Sequence, residues 1–509
     1  MKRIVFALAF FAAAGIPTSA GAQINQPEYQ ARRAKLAAKL DSVSGGADWV
    51  LLVTGAEEPE QDYLTFNQRP RFEYLTGFHE PTSDLVLSRR DGSVTQMLFV
   101  RPRDFSSRSF AEVWTGPRLG PEGVSTAMGL SGRSQSELLP VLDTLLRKGT
   151  SLFFIGERSG NDSAPQTADD VLLKGLAQHI PQLKILSANS RVDALRRSKS
   201  AAELDLIRKA VAITVDAQRA AFQLVRPGLN EFEVQALIEY TFRKNGADRP
   251  SFSSIVGSGP NSTQLHYLDD NRFIQNGDVV VMDIGASYRG YSADVTRTVP
   301  ANGVYSKEQR EIYQAVRDAQ AAGERQALLG TDSRRMGDSA TKSLSASMMR
   351  LGLIEGPDST YDCTESTTGV CSQYRLFYMH SLGHPIGLEV HDVGLPGRAG
   401  GSLAPGDAFT IEPGIYVRAN TVDIIPDTPR NRRIKDHIRT AVTKYANIGV
   451  RIEDDYIMTP TGVEWISRAP REMSEIEAMM RVAPKTITGR DSTKVEWYRS
   501  TAPRGSHAP

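Results

Sequence analysis

The first part of the chain alternates short apolar runs with stretches of helical periodicity. The apolar runs are Trp49–Val53, Leu85–Leu87, Met97–Val100 and Leu152–Ile155. Runs of this length suit buried strands, and the amphipathic stretches between them suit helices that cover a sheet. We therefore predict an α/β domain over residues 23–195.

A longer helical pattern begins near residue 200. Ser200 and Glu203 have the spacing of a capping box, and apolar residues then recur at helical spacing until the chain approaches Pro227. Asn230 is a second predicted N-cap, for a helix that continues to about Lys244.

The rest of the chain mixes strand-like segments with two more helical stretches. Strands are predicted at residues 251–257, 279–284, 291–299, 408–416 and 448–458, and helices at residues 306–329 and 333–351. Because this order lacks regular β-α-β alternation, we predict an α+β domain over residues 196–480. Residues 481–509 lose the apolar pattern and are predicted to form a disordered tail.

The charge balance argues against nucleic acid as a partner. The chain has 60 Lys+Arg and 59 Asp+Glu, so its net charge is +1. Such a chain has no long-range attraction for nucleic acid or anionic lipid. With 40% hydrophobic residues, it has the composition of an ordinary globular protein.

The N-terminus predicts export. Lys2 and Arg3 precede an apolar run from Ile4 to Ile16, and small residues follow up to Ala22. These are the features of a secretory signal peptide over residues 1–22. The run is shorter than the roughly 20 residues that span a bilayer. We predict a periplasmic or extracellular protein without a membrane span.

The chain contains two cysteines, Cys363 and Cys371. In an oxidising compartment they can form a disulfide that closes a small loop. Two free thiols are the alternative.

Two aspartates in one predicted hairpin point to a metal. Asp283 lies at the end of an apolar strand, and Asp294 follows in the next strand. If the chain reverses at Tyr288 and Arg289, these two residues face each other with Cβ atoms about 5 Å apart. Buried carboxylates this close repel unless one is protonated or a cation lies between them. A divalent metal ion is the prediction.

Further donors lie elsewhere in the chain. His380, His384 and His391 are three of its eight histidines and are close together in sequence, while Glu412 and Glu453 lie near the ends of later apolar segments. Two aspartates, two glutamates and a neutral imidazole would balance the charge of two divalent ions. Bridging carboxylates hold such ions about 3.5–4 Å apart.

This ordered set resembles the ligands of metallopeptidase family M24, which includes methionine aminopeptidase, prolidase and aminopeptidase P. The resemblance covers about residues 196–480 and implies the α+β pita-bread (creatinase/aminopeptidase) fold. It implies the metal ligands Asp283, Asp294, His384, Glu412 and Glu453. It further implies catalytic roles for His266, His391 and Glu412, and substrate contacts for His380 and Arg451.

The N-terminal region is similar to the opening domain of aminopeptidase P. The similar segments are residues 66–81, 101–104 and 112–120. This resemblance implies that Trp114 binds substrate, reaching the active site of a neighbouring subunit, whereas a core tryptophan is the alternative. It also implies a homo-oligomer, either a dimer or a tetramer.

Together these features predict a secreted exopeptidase that hydrolyses the Xaa-Pro bond at peptide N-termini. The resemblance implies two metal ions with a bridging hydroxide as the nucleophile. The oxygen-rich donor set favours Mn²⁺, with Zn²⁺ and Co²⁺ as alternatives. A prolidase restricted to Xaa-Pro dipeptides is the main alternative function, and a non-catalytic binding module is a third.

Three segments depart from the family pattern. Pro385 directly follows the predicted ligand His384, and residues 355–374, which include both cysteines, are longer than in bacterial relatives. The basic stretch 430–444 lies between the two predicted glutamate ligands. It either binds a substrate carboxylate at the mouth of the site or forms a solvated loop.

Overall fold

The computed structural model describes residues 24–59, 65–104, 116–146, 150–159, 164–364, 369–394 and 400–482, so the predicted signal peptide and most of the predicted tail lie outside it. Its helices are α1 (Gln26–Ser44), α2 (Pro70–Thr76), α3 (Gly120–Met128), α4 (Leu138–Leu146), α5 (Ala168–His179), α6 (Asn189–Arg196), α7 (Ala201–Leu224), α8 (Glu231–Lys244), α9 (Lys307–Glu324), α10 (Arg334–Arg350), α11 (Thr421–Ile424), α12 (Pro429–Lys444) and α13 (Met473–Met480). Its strands are β1 (Trp49–Thr54), β2 (Asp84–Arg90), β3 (Ser93–Val100), β4 (Ser131–Ser134), β5 (Ser151–Ile155), β6 (Ile185–Ser187), β7 (Arg249–Pro250), β8 (Ile255–Ser258), β9 (Val279–Ile284), β10 (Ala286–Tyr288), β11 (Tyr291–Ser292), β12 (Val295–Pro300), β13 (Thr360–Asp362), β14 (Val370–Ser372), β15 (Ala408–Ile411), β16 (Gly414–Val417), β17 (Ile448–Arg451), β18 (Asp454–Thr459) and β19 (Gly462–Trp465). Within these ranges, none of the helices combines the length and the apolar character that crossing a bilayer requires.

A six-stranded mixed sheet organises the first part of the chain. Its strand order is β4-β3-β2-β1-β5-β6, and the pairs β3/β4, β1/β5 and β5/β6 are parallel. The central strand β1 is buried on both faces: Leu51 packs with α1 and α2, while Val50 and Leu52 pack with α4 and α5. The α/β pattern is as predicted, and the domain boundary after residue 195 stays a prediction.

Asp84 introduces a buried carboxyl group at the start of β2. Burial raises the pKa of Asp84 to about 7, although Gln135 Nε2 donates a hydrogen bond to it at 2.6 Å. Since the folded pKa lies above the unfolded value of about 3.9, stability falls as pH rises between these values and stays reduced above them. We expect Asp84→Asn to raise the Tm at pH 8 and to leave it nearly unchanged at pH 4, as measured by calorimetry. An equal rise at both pH values would contradict this linkage.

Helices and short antiparallel strands build the second part of the chain. Ser200 and Asn230 cap α7 and α8 with capping boxes, which confirms both predicted helix starts. Strands β8, β9 and β12 form one antiparallel sheet, β15, β18 and β19 a second, and β16 and β17 a separate pair. Apolar residues of these strands share a core with α7, α8, α9, α10 and α12. This core holds the strands that carry the candidate site.

The hairpin that carries both aspartates differs in register from the prediction. The chain turns at Arg289 and Gly290, which have φ values of 49° and 80°, so the predicted reversal one residue earlier is wrong. Two consecutive residues of positive φ form the turn that matches the twist of paired strands. Asp283 therefore faces Thr296 rather than Asp294. The shift equals two residues, and because side chains alternate with period two, both aspartates stay on the same face.

The structure decides two alternatives that the sequence left open. Cys363 and Cys371 form a disulfide across the β13–β14 hairpin. The stretch 430–444 belongs to helix α12, so the prediction of a loop there is wrong. Ile434 and Ile438 are buried against the core, which explains why a strongly basic segment is helical.

Candidate metal centre and active site

Five polar side chains reach one point from separate elements. Asp283 lies in β9, and Asp294 directly precedes β12. Glu412 directly follows β15, and Glu453 lies between β17 and β18. His384 lies in a loop that is fixed to β15, because its carbonyl accepts a hydrogen bond of 2.8 Å from the backbone of that strand. The predicted donors are thus brought together.

The distances between these groups are short. His384 Nε2 lies 3.4 Å from Asp294 Oδ2, 3.5 Å from Glu412 Oε1 and 3.7 Å from Glu453 Oε1. Ligand atoms of Asp283, Asp294 and Glu453 also lie within 4.8 Å of one another. Side chains at these distances can hold metal ions in common.

Among the described residues, no hydrogen-bond partner is found for several buried oxygens of this cluster and of its neighbour Asp455. The unpaired buried oxygens are Asp283 Oδ1, Asp294 Oδ1, Glu453 Oε1 and Asp455 Oδ1. An unsatisfied buried acceptor costs about 1–3 kcal/mol, and a charged one costs more. Carboxylate oxygens and one imidazole are suitable ligands for divalent cations. The residues present therefore fit divalent metal ions.

Arg451 partly balances the acidic cluster from inside the protein. Its side chain is 4% exposed, with Nη2 2.6 Å from Asp283 Oδ2 and Nη1 2.9 Å from Tyr416 OH. Although burial acts in the opposite direction, this guanidinium lowers the pKa of Asp283. The sequence predicted that Arg451 contacts substrate. The structure places its guanidinium against Asp283 and Tyr416, and a contact with substrate stays a prediction.

The remaining carboxyl groups repel one another. Burial, together with Glu453 and Asp283, raises the pKa of Asp294. Burial and Glu453 likewise raise the pKa of Glu412. Asp455, whose Oδ2 accepts a hydrogen bond of 3.1 Å from Asp294 N, has a pKa raised mainly by burial. A bound divalent cation would instead lower the pKa values of these carboxyl groups.

Two histidines lie on the open side of the cluster. The ring of His391 lies against that of His384, with 4.0 Å between the centroids. Both His391 and His266 are exposed. Burial, His384 and His266 together lower the pKa of His391. His266 directly follows Leu265, whose carbonyl accepts a hydrogen bond of 3.3 Å from Arg451 Nη2, so it too lies near the cluster.

His380 is a neutral side chain at the edge of the cluster. Its Nε2 lies 2.8 Å from Tyr416 OH, and its Nδ1 lies 2.9 Å from Ser381 O and 3.6 Å from Glu412 Oε2. Burial and the Arg451 guanidinium lower the pKa of His380 to about 3. Near neutral pH its ring is therefore uncharged.

Sequence reasoning missed three residues that support the cluster. Thr296 Oγ1 donates a hydrogen bond of 2.8 Å to Glu453 Oε2. The Tyr416 hydroxyl contacts both His380 and Arg451, and Asp455 accepts a hydrogen bond from the backbone N–H of Asp294. Thr296 was detectable, since it lies two positions after Asp294 and period-two alternation places both on one face.

A cavity of about 590 Å³ adjoins the cluster. His380 and His384 line it together with the aromatic residues Tyr374, Tyr378 and Phe409. This volume lies within the usual range for small-molecule sites, about 300–1,000 Å³. Trp114, which the sequence predicted to bind substrate, lies outside the described residues.

Two family models match the chain, one in the part that forms the six-stranded sheet and one in the part that carries the candidate site. Residues 205–460 match Metallopeptidase family M24. Residues 29–153 match the Aminopeptidase P, N-terminal domain. The first match spans all five candidate metal ligands.

Individual relatives match almost the whole chain. The chain is 32% identical over 475 residues to the Xaa-Pro aminopeptidase of Escherichia coli, which covers 91% of this chain and 99% of that protein. It is 32% identical over 467 residues to the human Xaa-Pro dipeptidase, covering 86% of this chain and 90% of that protein. The solved structure of aminopeptidase P from E. coli in a low-pH form superposes with a TM-score of 0.77 at 30% identity, covering 91% of this chain and 100% of that one.

Proposed function

Because the chain belongs to metallopeptidase family M24, we propose that it is an Xaa-Pro aminopeptidase that removes the N-terminal residue preceding proline. Its fold is the α+β pita-bread fold of aminopeptidase P structures, with an N-terminal α/β domain. The convergence of five metal-binding side chains carries the proposed hydrolysis. Similarity to an Xaa-Pro aminopeptidase over nearly its full length supports the proline specificity.

The five converging side chains are the proposed ligands of two divalent metal ions. These are Asp283, Asp294, His384, Glu412 and Glu453. When bound, such ions activate water and polarise a carbonyl group. Arg451 donates a hydrogen bond to Asp283 Oδ2 and Thr296 donates one to Glu453 Oε2, while the second oxygen of each carboxylate has no hydrogen-bond partner among the described residues. The protein thus orients these carboxylates and keeps one oxygen of each available.

The surrounding side chains orient the peptide and move the proton. In this proposal, the Glu412 carboxylate accepts a proton from the attacking water and delivers it to the leaving proline nitrogen. The N–H groups of His391 and His266, on the open side, stabilise the charge that develops on the carbonyl oxygen. His380, held by Tyr416, presents its neutral ring to the substrate beside Glu412.

We propose Mn²⁺ as the native metal, with Zn²⁺ and Co²⁺ as alternatives. Four carboxylates and one imidazole form a donor set that suits Mn²⁺ better than Zn²⁺. Metal analysis of protein purified without added metal tests this proposal. A predominance of Zn²⁺ or Co²⁺ would overturn the assignment of the metal while keeping that of the site.

Peptide hydrolysis tests the proposed function. We expect the Mn²⁺-loaded protein to release the first residue of an Xaa-Pro tetrapeptide and to leave the matched Xaa-Ala tetrapeptide intact. A chelator should stop cleavage, and added Mn²⁺ should restore it. Equal cleavage of both peptides, or of neither, would overturn the proline specificity or the activity.

A second candidate function, cleavage restricted to Xaa-Pro dipeptides, has one specific observation in its favour. The human Xaa-Pro dipeptidase matches this chain as closely in identity as the bacterial aminopeptidase does. The basic helix α12 was the predicted source of a carboxylate-binding group. However, Arg430 contacts Asp362, Arg432 pairs with Asp427, and Lys444 pairs with an acid of α9. These pairings occupy three of the six basic side chains of α12, and comparing a dipeptide with the tetrapeptide decides between the two functions.

Export and oligomerisation are further proposals. The Cys363–Cys371 disulfide supports an oxidising compartment. Cell fractionation should place the protein outside the cytoplasm, and mass spectrometry of its N-terminus should identify a chain that starts at Gln23. Light scattering should show a dimer or tetramer, and a monomer would overturn that proposal.

A further inference from the structure

The segment that connects the two parts of the chain carries two buried cations. Arg196 ends α6, Lys199 lies just before α7, and each side chain is only 1% exposed. Both cations meet Asp392, whose side chain is 2% exposed. Asp392 directly follows His391 in the chain. The connecting segment is thus in direct contact with the loop that carries a proposed catalytic histidine.

The contacts around Asp392 use both of its carboxylate oxygens. Arg196 Nη2 binds Oδ1 and also lies 2.7 Å from Glu389 Oε2. Lys199 Nζ lies 3.2 Å from Oδ2 but without hydrogen-bond alignment, so this contact is electrostatic. A Cβ atom at Gly387 would lie 1.9 Å from Asp392 Oδ2. Glycine at this position therefore leaves room for the carboxylate.

Burying such a cluster is costly unless its members are paired. The desolvation penalty of a buried ion pair often cancels its attraction, so a buried pair is weak evidence for stability. Removing one partner, in contrast, is strongly destabilising, because it leaves a buried charge without compensation. The cluster is more informative about the geometry of the loop than about stability. Asp392 N also donates a hydrogen bond of 2.9 Å to Pro385 O. Both ends of the loop from His384 to His391 are thereby tied together.

We propose that Arg196 and Lys199 are positioning residues that hold Asp392, and through it the ring of His391, in its place beside His384. The proposal rests on the proposed function, which gives His391 its role toward the substrate. It assigns the connecting segment a part in catalysis: the end of α6 sets the geometry of the active-site rim. A shift of about 1 Å in such a group can lower a rate by as much as 10²-fold.

The variant Lys199→Met tests this proposal with a matched control. Methionine keeps an unbranched side chain that is one atom shorter and uncharged, and Asp392 stays paired with Arg196. We expect kcat for an Xaa-Pro peptide to fall about 10-fold, with a smaller change in KM. The control is Arg197→Met, because Arg197 anchors the same segment through Asp407, at 3.0 and 2.9 Å, instead of through Asp392. Its kcat should stay near that of the unmodified protein, and an equal loss in both variants would overturn the proposal.

A double-mutant cycle separates positioning from general destabilisation. In a His391→Ala background, Lys199→Met should cause no further loss of kcat, because the group that it positions is already absent. A further 10-fold loss in that background would overturn the proposal. If Lys199→Met does not fold, Lys199→Gln replaces it in the cycle.

A crystal structure of the Lys199→Met variant provides a readout independent of activity. We expect the His391 ring to leave the position in which its centroid lies 4.0 Å from that of His384. An unchanged ring position would overturn the proposal. If the unmodified protein does not cleave Xaa-Pro peptides, the proposed function fails, and the ring position alone then decides whether the segment positions His391.

Discussion

Replacement of Asp294 by asparagine is expected to lower kcat/KM for an Xaa-Pro peptide by about 10³-fold or more. Metal ions contribute several kcal/mol to such reactions, and each 1.36 kcal/mol corresponds to a factor of ten. Asp294 is crowded by Glu453 and Asp283, which together with burial raise its pKa. The same replacement should therefore stabilise the metal-free protein slightly, because it removes one of the repelling charges.

Three measurements check this prediction. Peptide hydrolysis gives kcat/KM, metal analysis gives the ions retained per chain, and thermal unfolding in a chelator gives the stability of the metal-free protein. Asp278→Asn is the control, since Asp278 directly precedes the opposite end of β9 and pairs with Arg272 instead of with a candidate metal ligand. Near-normal activity of Asp294→Asn with a full complement of metal would refute the role of Asp294 as a ligand.

Replacement of Arg451 by methionine is expected to destabilise the metal-free protein by about 3–5 kcal/mol. The cause is the carboxylate of Asp283, which would stay buried without the cation that now contacts it at 2.6 Å. In metal-saturated protein the loss should be smaller, because bound cations compensate the same carboxylate. Urea unfolding in chelator and in excess Mn²⁺ measures both values.

The buried residue Arg33 offers a matched control for this experiment. Its side chain binds Gln96 and the backbone of Leu75, and Leu75 packs in the core of the first sheet. Arg33→Met should therefore lower stability by the same amount with and without metal. If Arg451→Met also showed no dependence on metal, the proposed compensation of Asp283 would be refuted.

Local patterns were sufficient to locate most of the regular elements. The starts of α7 and α8 followed from side chains that accept hydrogen bonds from the backbone within their own first turn, and such contacts are encoded by adjacent residues. Helix α12 was missed although Ile434, Ile438 and Ala441 repeat at helical spacing and are buried. Its many basic residues are typical of a solvated loop, so composition and periodicity favour different structures here.

The register of the hairpin that carries Asp283 and Asp294 depends on more than the local pattern of apolar and polar residues. Alternation along β9 and β12 correctly placed Asp283 and Asp294 on one face. The position of the turn depended on which two residues adopt positive φ, and the structure selects Arg289 and Gly290. The prediction that both carboxylates share one face is correct despite this error, because the register shifts by two residues. A shift of one residue would have placed the two carboxylates on opposite faces.

The sequence by itself determined the chemistry that is available to this protein: the types and order of the donor residues, the amphipathic helices and the strands that carry them. Only the tertiary structure decided the contacts between side chains distant in the chain. Examples are Arg451 with Asp283, Thr296 with Glu453, and Lys199 with Asp392. The physical reason is that periodicity and capping act over one or two turns of chain, whereas pairing of buried charges depends on how separate elements pack.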